Sequence, residues 1–254
     1  MASLYLNESL DEIAFATGRR LGIDGADARH AAQVARVRTG ERIGIGDGRG
    51  RIGWGPVVHV ASDSVAIEVE EVLVEAPAVP ELWLVQALAK GDRDELAVQA
   101  ATELGASGVV PWQAARSVSR WSGPKAAKAA KGVERWRSIV REAAKQAIRP
   151  SVPEVAELAT TAGLAERLRV PGVVGLVLEP SASHSLTAVL EPPATAAIDR
   201  IELIVGPEGG IDPLELRELE LAGARVVRLG AEVLRTSTAG PAALATLAVL
   251  LRRW

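Results

Sequence analysis

From Leu82 onward, short apolar runs alternate with stretches whose apolar positions recur every three to four residues. The runs Leu82–Leu88, Gly108–Trp112, Val173–Leu178, Ile201–Val205 and Arg225–Leu229 read as buried strands. The stretches Asp92–Leu104, Val133–Ile148, Asp212–Ala222 and Thr238–Leu251 read as helices, the first ended by Gly105. In Val133–Ile148 the residues Trp136, Ile139, Val140, Ala143 and Ala147 share one face. Strands taking turns with helices predict an α/β domain around a mostly parallel sheet.

The first 75 residues follow a different rule. A helical stretch, Ala26–Arg38, precedes a run from Glu41 to Asp47, the turn Asp47-Gly48-Arg49-Gly50, and the partner strand Arg51–Val60. Ser64–Val74 alternates in part, with Val65, Ile67 and Val69 inward, and predicts one further strand. The proline-rich Glu75–Pro80 makes the best boundary, which divides the chain into 1–75, a small β-rich domain, and 76–254. No internal repeat is visible.

At 48% hydrophobic and 24% charged residues the chain has the make-up of a globular protein, and no apolar run is long enough to cross a membrane. Its start carries early acidic residues and no basic segment, so no secretory signal is expected. The count of zero cysteines excludes disulfides, thiolate nucleophiles and zinc–thiolate sites and fits a reducing cytoplasm; no metal site is expected. The net charge of -3 hides an asymmetry: residues 116–149 hold ten basic and two acidic side chains. Such a segment suits a polyanion, and it equally suits a solvated helix face.

Three loops follow strands at what would be the carboxyl edge of the sheet, where open parallel sheets bind ligands. They are Glu179-Pro180-Ser181, Gly206-Pro207-Glu208-Gly209-Gly210 and Gly230–Ala239. The second enters a helix through Asp212-Pro213-Leu214-Glu215, with the N-cap, N1 and N3 residues of a capping box. It is neither a Walker loop nor a dinucleotide fingerprint. Its glycines serve either a close backbone approach to a ligand or simply a tight strand-to-helix turn. In the third loop Ser237 or Thr238 reads as an ordinary helix cap, which leaves Arg235 beside them unexplained.

Four segments, in order, carry a resemblance: ALAKGDRDELAVQAATELGASGVVPWQAARSV, ERWRSIVREAAKQAIRPSVPEV, LIVGPEGGIDPLEL and LGAEVLRTSTAGPAALATL. Together they resemble the family of 16S ribosomal RNA uridine-N3 methyltransferases, of the SPOUT superfamily, over most of residues 84–251. Arg29-His30 and the GDGRG hairpin resemble, more weakly, that family's PUA-like domain. The resemblance implies a SPOUT-type knotted parallel-sheet domain with a small N-terminal PUA-like β-barrel, the trefoil knot being tied by residues 201–251. It implies a homodimer that uses S-adenosylmethionine on 16S ribosomal RNA or the small ribosomal subunit. Where many members read L-R-x-E-T-A, this chain has Ser237 in place of the glutamate.

Carried over residue by residue, the resemblance implies donor contacts from Leu178, Glu179, Gly206, Pro207, Glu208, Gly209, Gly210, Leu229, Gly230, Leu234, Arg235, Thr236, Thr238 and Ala239. Uracil N3 must lose its proton before it attacks, so a neighbouring arginine would stabilise the anion, with Arg116 and Arg235 as candidates. Glu208 is either the base or a structural group. His30, His59 and His184 are scattered and read as surface or core residues. For RNA, Arg29, Arg116, Arg120, Arg141, Lys145, Gln146 and Arg149 are expected contacts. Arg137, Arg141, Lys145 and Arg149 recur every four residues as one stripe, while Lys125, Lys128 and Lys131 would add phosphate affinity. Trp112 and Trp121 could each stack on a base or fill a core. Three other readings stay open: a ribose 2′-O-methyltransferase, a non-catalytic RNA-binding protein, and a small-molecule enzyme that holds an anion on its glycine loop.

Overall fold

The computed structural model describes residues 3–121, 127–189 and 198–254. The chain forms two compact units: Met1–Pro77 with Arg141–Val152, and Ala78–Val140 with Pro153–Trp254.

The first unit holds β1 (Leu4–Leu6), β2 (Arg20–Asp24), β3 (Arg42–Gly46), β4 (Arg51–Val60), β5 (Ser64–Glu68) and β6 (Glu71–Val74). They pair in the order β1-β3-β4-β5-β2, with β6 also on β4. β1 runs parallel to β3 and every other pair is antiparallel. The stretch expected as one strand, Ser64–Val74, is therefore two. β4 carries β6 along Arg51–Trp54 and β5 along Val57–Val60, with a register shift between Val57 and His59. Close packing demands glycine on β4 ahead of this shift: a Cβ on Gly53 would lie 2.5 Å from the Leu21 side chain. Leu21, Ile23, Ile43, Ile45, Val57, Val65 and Ile67 fill the core beneath.

The helix expected at Ala26–Arg38 is α1 (Gly25–Arg29), continued by a wider-wound turn at His30–Ala35 and stopped by Arg36 at φ 54°. At the GDGRG turn Asp47 is fully buried, and its Oδ1 accepts the N–H groups of Arg49 (2.7 Å) and Arg51 (3.0 Å). A side chain thus satisfies the backbone donors of the turn. The later segment belongs here by pairing as well: Gly50 N–H donates to Pro150 O at 3.0 Å and Val152 N–H to Gly48 O at 2.9 Å.

The second unit is one parallel sheet of β7 (Glu81–Ala87), β8 (Gly108–Trp112), β9 (Glu154–Val155), β10 (Val173–Leu178), β11 (Arg200–Val205) and β12 (Arg225–Val227). The order is β12-β10-β11-β7-β8-β9. Its helices are α2 (Arg93–Glu103), α3 (Ala127–Gln146), α4 (Thr161–Leu168), α5 (Leu186–Val189), α6 (Pro213–Leu221) and α7 (Thr236–Leu250). On β7, Trp83, Val85 and Ala87 face a core built with α4 and α6. α2 and α7 pack on each other and on β7 and β11. Gly240 of α7 meets Leu84 so closely that a Cβ there would lie 2.8 Å from it. Alternate residues thus go to opposite helical layers, which is why these strands read as continuous apolar runs.

Three elements of this unit were invisible in the pattern, as were β1 and β2 in the first: β9, only two residues long, the short α5, and α4, capped by Thr160 accepting from Gly163 N–H at 3.2 Å. α3 already includes Ala127, ahead of the expected Val133, and on it Gly132 makes room for the Trp121 ring, where a Cβ would sit at 2.6 Å. Trp121 in turn stands edge-on to buried Trp136, with ring centroids 5.4 Å apart. The boundary between the two units falls within α3.

Candidate active site

The carboxyl ends of β10, β11 and β12 surround a cavity of about 370 Å³, within the usual range for small-molecule sites. Leu178, Glu179 and Pro180 line it from the first loop, and Val205, Gly206, Pro207, Glu208, Gly210 and Ile211 from the second. The third loop supplies Arg228, Leu229, Gly230, Glu232, Val233, Leu234, Arg235 and Thr236; Ala239 of α7 and Arg93 of α2 complete the wall. Every donor-contact residue expected from the sequence lines this cavity except Gly209 and Thr238.

The second loop explains its own glycines. A Cβ on Gly206 would stand 2.6 Å from Ile211 Cγ1, and Gly210 has φ 72° with its N–H donating to Pro207 O at 2.9 Å. A side chain collides at Gly206, and at Gly210 the left-handed backbone strains one. Gly209 differs: its Cβ would meet Arg116 Cβ at 3.4 Å, an ordinary contact, on a side that does not line the cavity. Asp212 caps α6 as expected, accepting from Leu214 N–H at 3.0 Å. Glu215 does not complete a capping box; its Oε1 accepts from Ala115 N–H (2.9 Å) and the Thr161 hydroxyl (2.6 Å) and so ties α6 to the β8 side of the sheet.

The third loop reaches α7 through Arg235, whose backbone O accepts from Thr238 N–H (2.8 Å) and Ala239 N–H (2.9 Å). Thr236, not Ser237 or Thr238, does the side-chain work. Its buried hydroxyl donates to Gly206 O at 2.9 Å and accepts from Gln86 Nε2 at 2.8 Å. This places one hydrogen-bonded strut between the second loop, the third loop and β7. Gln86 escaped the sequence reading because it sits inside a strand that reads as apolar.

This arrangement has close counterparts. An RNA methyltransferase domain model matches residues 75–248 and an RNA methyltransferase PUA domain model residues 23–70. The chain is 42% identical over 257 residues to the ribosomal RNA small subunit methyltransferase E of Mycobacterium bovis, covering 100% of this chain and 94% of the relative. It belongs to the ribosomal RNA small subunit methyltransferase E family. A member from Bacillus subtilis is 30% identical over 85% of both chains. The crystal structure of the Neisseria gonorrhoeae enzyme bound to S-adenosyl methionine superposes with a TM-score of 0.82 at 25% identity, over 98% of each chain. A putative methyltransferase from Legionella pneumophila, in complex with the same cofactor, gives 0.81 at 25% identity, also over 98% of each.

In this methyltransferase E family member Glu208 is held rather than free. Its Oε1 accepts from Lys90 N–H at 3.1 Å and from Arg93 Nη1 at 2.9 Å. Burial pushes its carboxyl up, but hydrogen bonds from its own N–H, Lys90 N–H and Arg93 outweigh burial and leave it below the ordinary carboxylate range. A carboxylate stabilised in that way is a weak base. Of the two candidate arginines, Arg235 lines the cavity and Arg116 does not. Arg116 braces the glycine loop from outside, donating to Gly209 O at 3.2 Å and pairing with Asp212 at 3.4 Å. None of His30, His59 and His184 lines the cavity.

The expected RNA residues are dispersed. The supposed stripe on α3 is largely consumed by ion pairs. Lys145 is 8% exposed, with Nζ 2.7 Å from Asp27 and 3.0 Å from Glu142. Arg141 pairs with Asp27 at 2.8 Å and Glu8 at 2.7 Å. Burial works against ionisation of Asp27, Glu8 and Arg141, yet the mutual hydrogen bonds win, lowering both carboxyls and raising the guanidinium. Arg137 pairs with Glu157 at 3.2 Å. Arg149 is not on the helix at all: α3 ends at Gln146, Ile148 turns the chain at φ 54°, and Pro150 follows. Arg29 and Gln146 are exposed, and Arg120 donates to Ala115 O at 2.8 Å. Lys128 and Lys131 are exposed, whereas Lys125 lies outside the described residues. Trp112 is fully buried, its Nε1 donating to Thr161 at 3.3 Å, and is core. Among the described residues no cluster of histidine and carboxylate side chains could hold a metal, and no helix is long and apolar enough to cross a membrane.

Proposed function

We infer that this chain transfers the methyl group of S-adenosylmethionine to N3 of one uridine in 16S ribosomal RNA of the small ribosomal subunit. The observation that carries the reading is the cavity itself. Three backbone turns at the carboxyl edge of a parallel sheet line it; in the middle one a Cβ on Gly206 would lie 2.6 Å from Ile211, and Gly210 takes left-handed backbone at φ 72°. Glycines in such turns leave room for a ligand to approach the backbone. The fit to a nucleoside joined to an amino acid is chemical as well. Leu178, Val205, Ile211, Leu229 and Leu234 offer apolar wall for a base, while Glu179, Glu232, Arg228 and Arg235 offer charges of both signs for an ammonium and a carboxylate. The bound donor supplies a methyl group made electrophilic by a sulfonium.

The chain's own residues do the rest. The strut Gln86–Thr236–Gly206 fixes two of the three loops relative to each other, and in-line transfer between two bound groups depends mainly on such positioning. Arg235, at the cavity wall, would stabilise the charge that spreads over O2 and O4 when uracil N3 gives up its proton. Glu208 serves the loop and takes no proton. RNA phosphates would fall to exposed cations: Arg29 in the first unit, Lys128 and Lys131 in the second. The reading includes a second copy of the chain and a knotted path for residues 201–251. The knot is supported by β12 lying beyond β10 while α7, next in the chain, packs against β11 and β7 on the far side of β10.

The deciding experiment is methyl transfer from labelled S-adenosylmethionine to 16S RNA and to intact small subunits, with the modified nucleoside identified after digestion by mass spectrometry. 3-Methyluridine is the expected product. A 2′-O-methylated nucleoside, or donor binding without transfer to either substrate, overturns the reading.

A further inference from the structure

The β7–α2 turn, Leu88 to Asp94, was not among the loops that the sequence marked as a site. It is nonetheless locked with unusual care. Gly91 and Asp92 both adopt left-handed backbone, at φ 66° and 59°. Asp94, only 6% exposed, accepts from Ala89 N–H at 3.1 Å through Oδ2 and from Glu95 N–H at 2.9 Å through Oδ1. A residue in left-handed backbone that is not glycine persists only where its surroundings over-determine it, and Asp94 provides that constraint. The result is that two donors of this turn, Lys90 N–H and Arg93 Nη1, converge on the same oxygen, Oε1 of Glu208.

Glu208 carries the only charged side chain of the turn Gly206–Gly210. Glu208 itself lines the cavity, as do Pro207, Gly210 and Arg93. We propose that Arg93 is a positioning residue for the methyl donor, acting through Glu208 to hold the glycine turn in its binding shape. The proposal rests on the reading that this cavity takes S-adenosylmethionine. Lys90 N–H alone leaves the carboxylate with one neutral donor, whereas the guanidinium adds charge-assisted restraint, roughly twice as strong. The neighbouring Asp94 makes the clasp rigid by removing the freedom of the turn that bears it. Arg116 steadies the same glycine turn at Gly209 O and Asp212, so the turn is held by an arginine at each end, one from the β7 side and one from the β8 side.

The test uses the full chain and four variants: Arg93→Gln, Arg93→Lys, Glu208→Gln and the double Arg93→Gln/Glu208→Gln. Donor affinity is measured by calorimetry with S-adenosylmethionine alone, and donor KM and kcat with 16S RNA. Loss of this partly exposed ion pair should weaken donor binding about three- to fivefold in Arg93→Gln, with KM rising by more than kcat falls. Arg93→Lys should recover most of the affinity, since it keeps a charge near Oε1. The double variant should bind no more weakly than Glu208→Gln, because both changes break one linkage. Wild-type affinity in Arg93→Gln, additive losses in the double variant, or a fall in kcat at unchanged affinity each overturn the proposal. If Arg93→Gln does not fold, Arg93→Lys and Glu208→Gln decide: equal, full-strength donor binding in both sinks it. Wild-type protein that binds no donor would instead sink the parent reading.

Discussion

The glycine turns around the cavity and the basic face of α3 were both conspicuous in the sequence, and they fared differently. In the turns, the site was read from backbone shape, and backbone shape is set locally: Gly210 at φ 72°, Asp212 on Leu214 N–H, Pro213 at the first helical position. On α3, function was read from side-chain charge, and charge is only as available as its distant partners allow. Asp27, more than a hundred residues earlier, claims both Arg141 and Lys145. Local geometry survives folding, whereas a surface charge can be spent on the protein itself.

Changes at four places, Asp27, the glycine turn, Thr236 and the lysines of α3, would break or sharpen this contrast. Asp27→Ala removes the buried carboxylate that two cations share and leaves Arg141 with Glu8 and nearly inaccessible Lys145 with Glu142; breaking such a buried pair should cost about 3 kcal/mol of stability by chemical denaturation. The wild type should lose that contribution in acid. With Asp27 lowered in the folded state, its stabilisation is complete above the unfolded value of about 3.9 and fades as pH falls through the folded value. Asp27→Asn should flatten this acid limb; an identical limb would mean that Asp27 is no keystone.

Gly206→Val should weaken donor binding by about a hundredfold or more, since a Cβ there collides with Ile211 and the turn must move. Gly209→Ala, in the same loop, should stay within about threefold of wild type, its Cβ meeting only ordinary contact. Equal losses in the two variants, by calorimetry, would erase the distinction drawn between these glycines. Thr236→Val keeps the shape of the strut but removes its hydroxyl from Gly206 O and Gln86; about 1–2 kcal/mol of stability or donor affinity should go with it, read from melting and titration. The smallest effect belongs to RNA. Lys128→Ala with Lys131→Ala should reduce the slope of log affinity against log salt by up to about 1.5–2, whereas Lys145→Met should leave that slope unaltered. A flattened slope in Lys145→Met would restore the stripe.

Much of the α/β domain was readable because its strands are buried on both faces and thus continuous in hydrophobicity; β8 and β10 fall where the apolar runs do. β9 was not, since two residues carry no periodicity, and β5 with β6 were fused because nothing local announces that β4 pairs with β6 along Arg51–Trp54 and with β5 from Val57 onward. At the site, the loop residues followed from glycine and cap chemistry together with family resemblance. Gln86 and Arg93 did not, because each earns its place through contacts more than a hundred residues away. Glu215 shows the opposite error: a local motif predicted its bond, and Ala115 and Thr161 took it instead.

The first unit includes Arg141–Val152, so it is discontinuous in sequence. During synthesis, Asp27 must wait for Arg141 and Lys145, and the backbone at Gly48 and Gly50 must wait for Val152 and Pro150. A nascent chain halted at the Glu75–Pro80 linker would hold Asp27 with neither of its cations yet made. Vectorial, one-domain-at-a-time maturation is therefore closed to this polypeptide: its N-terminal part reaches its final form only after more than half of the chain has left the ribosome.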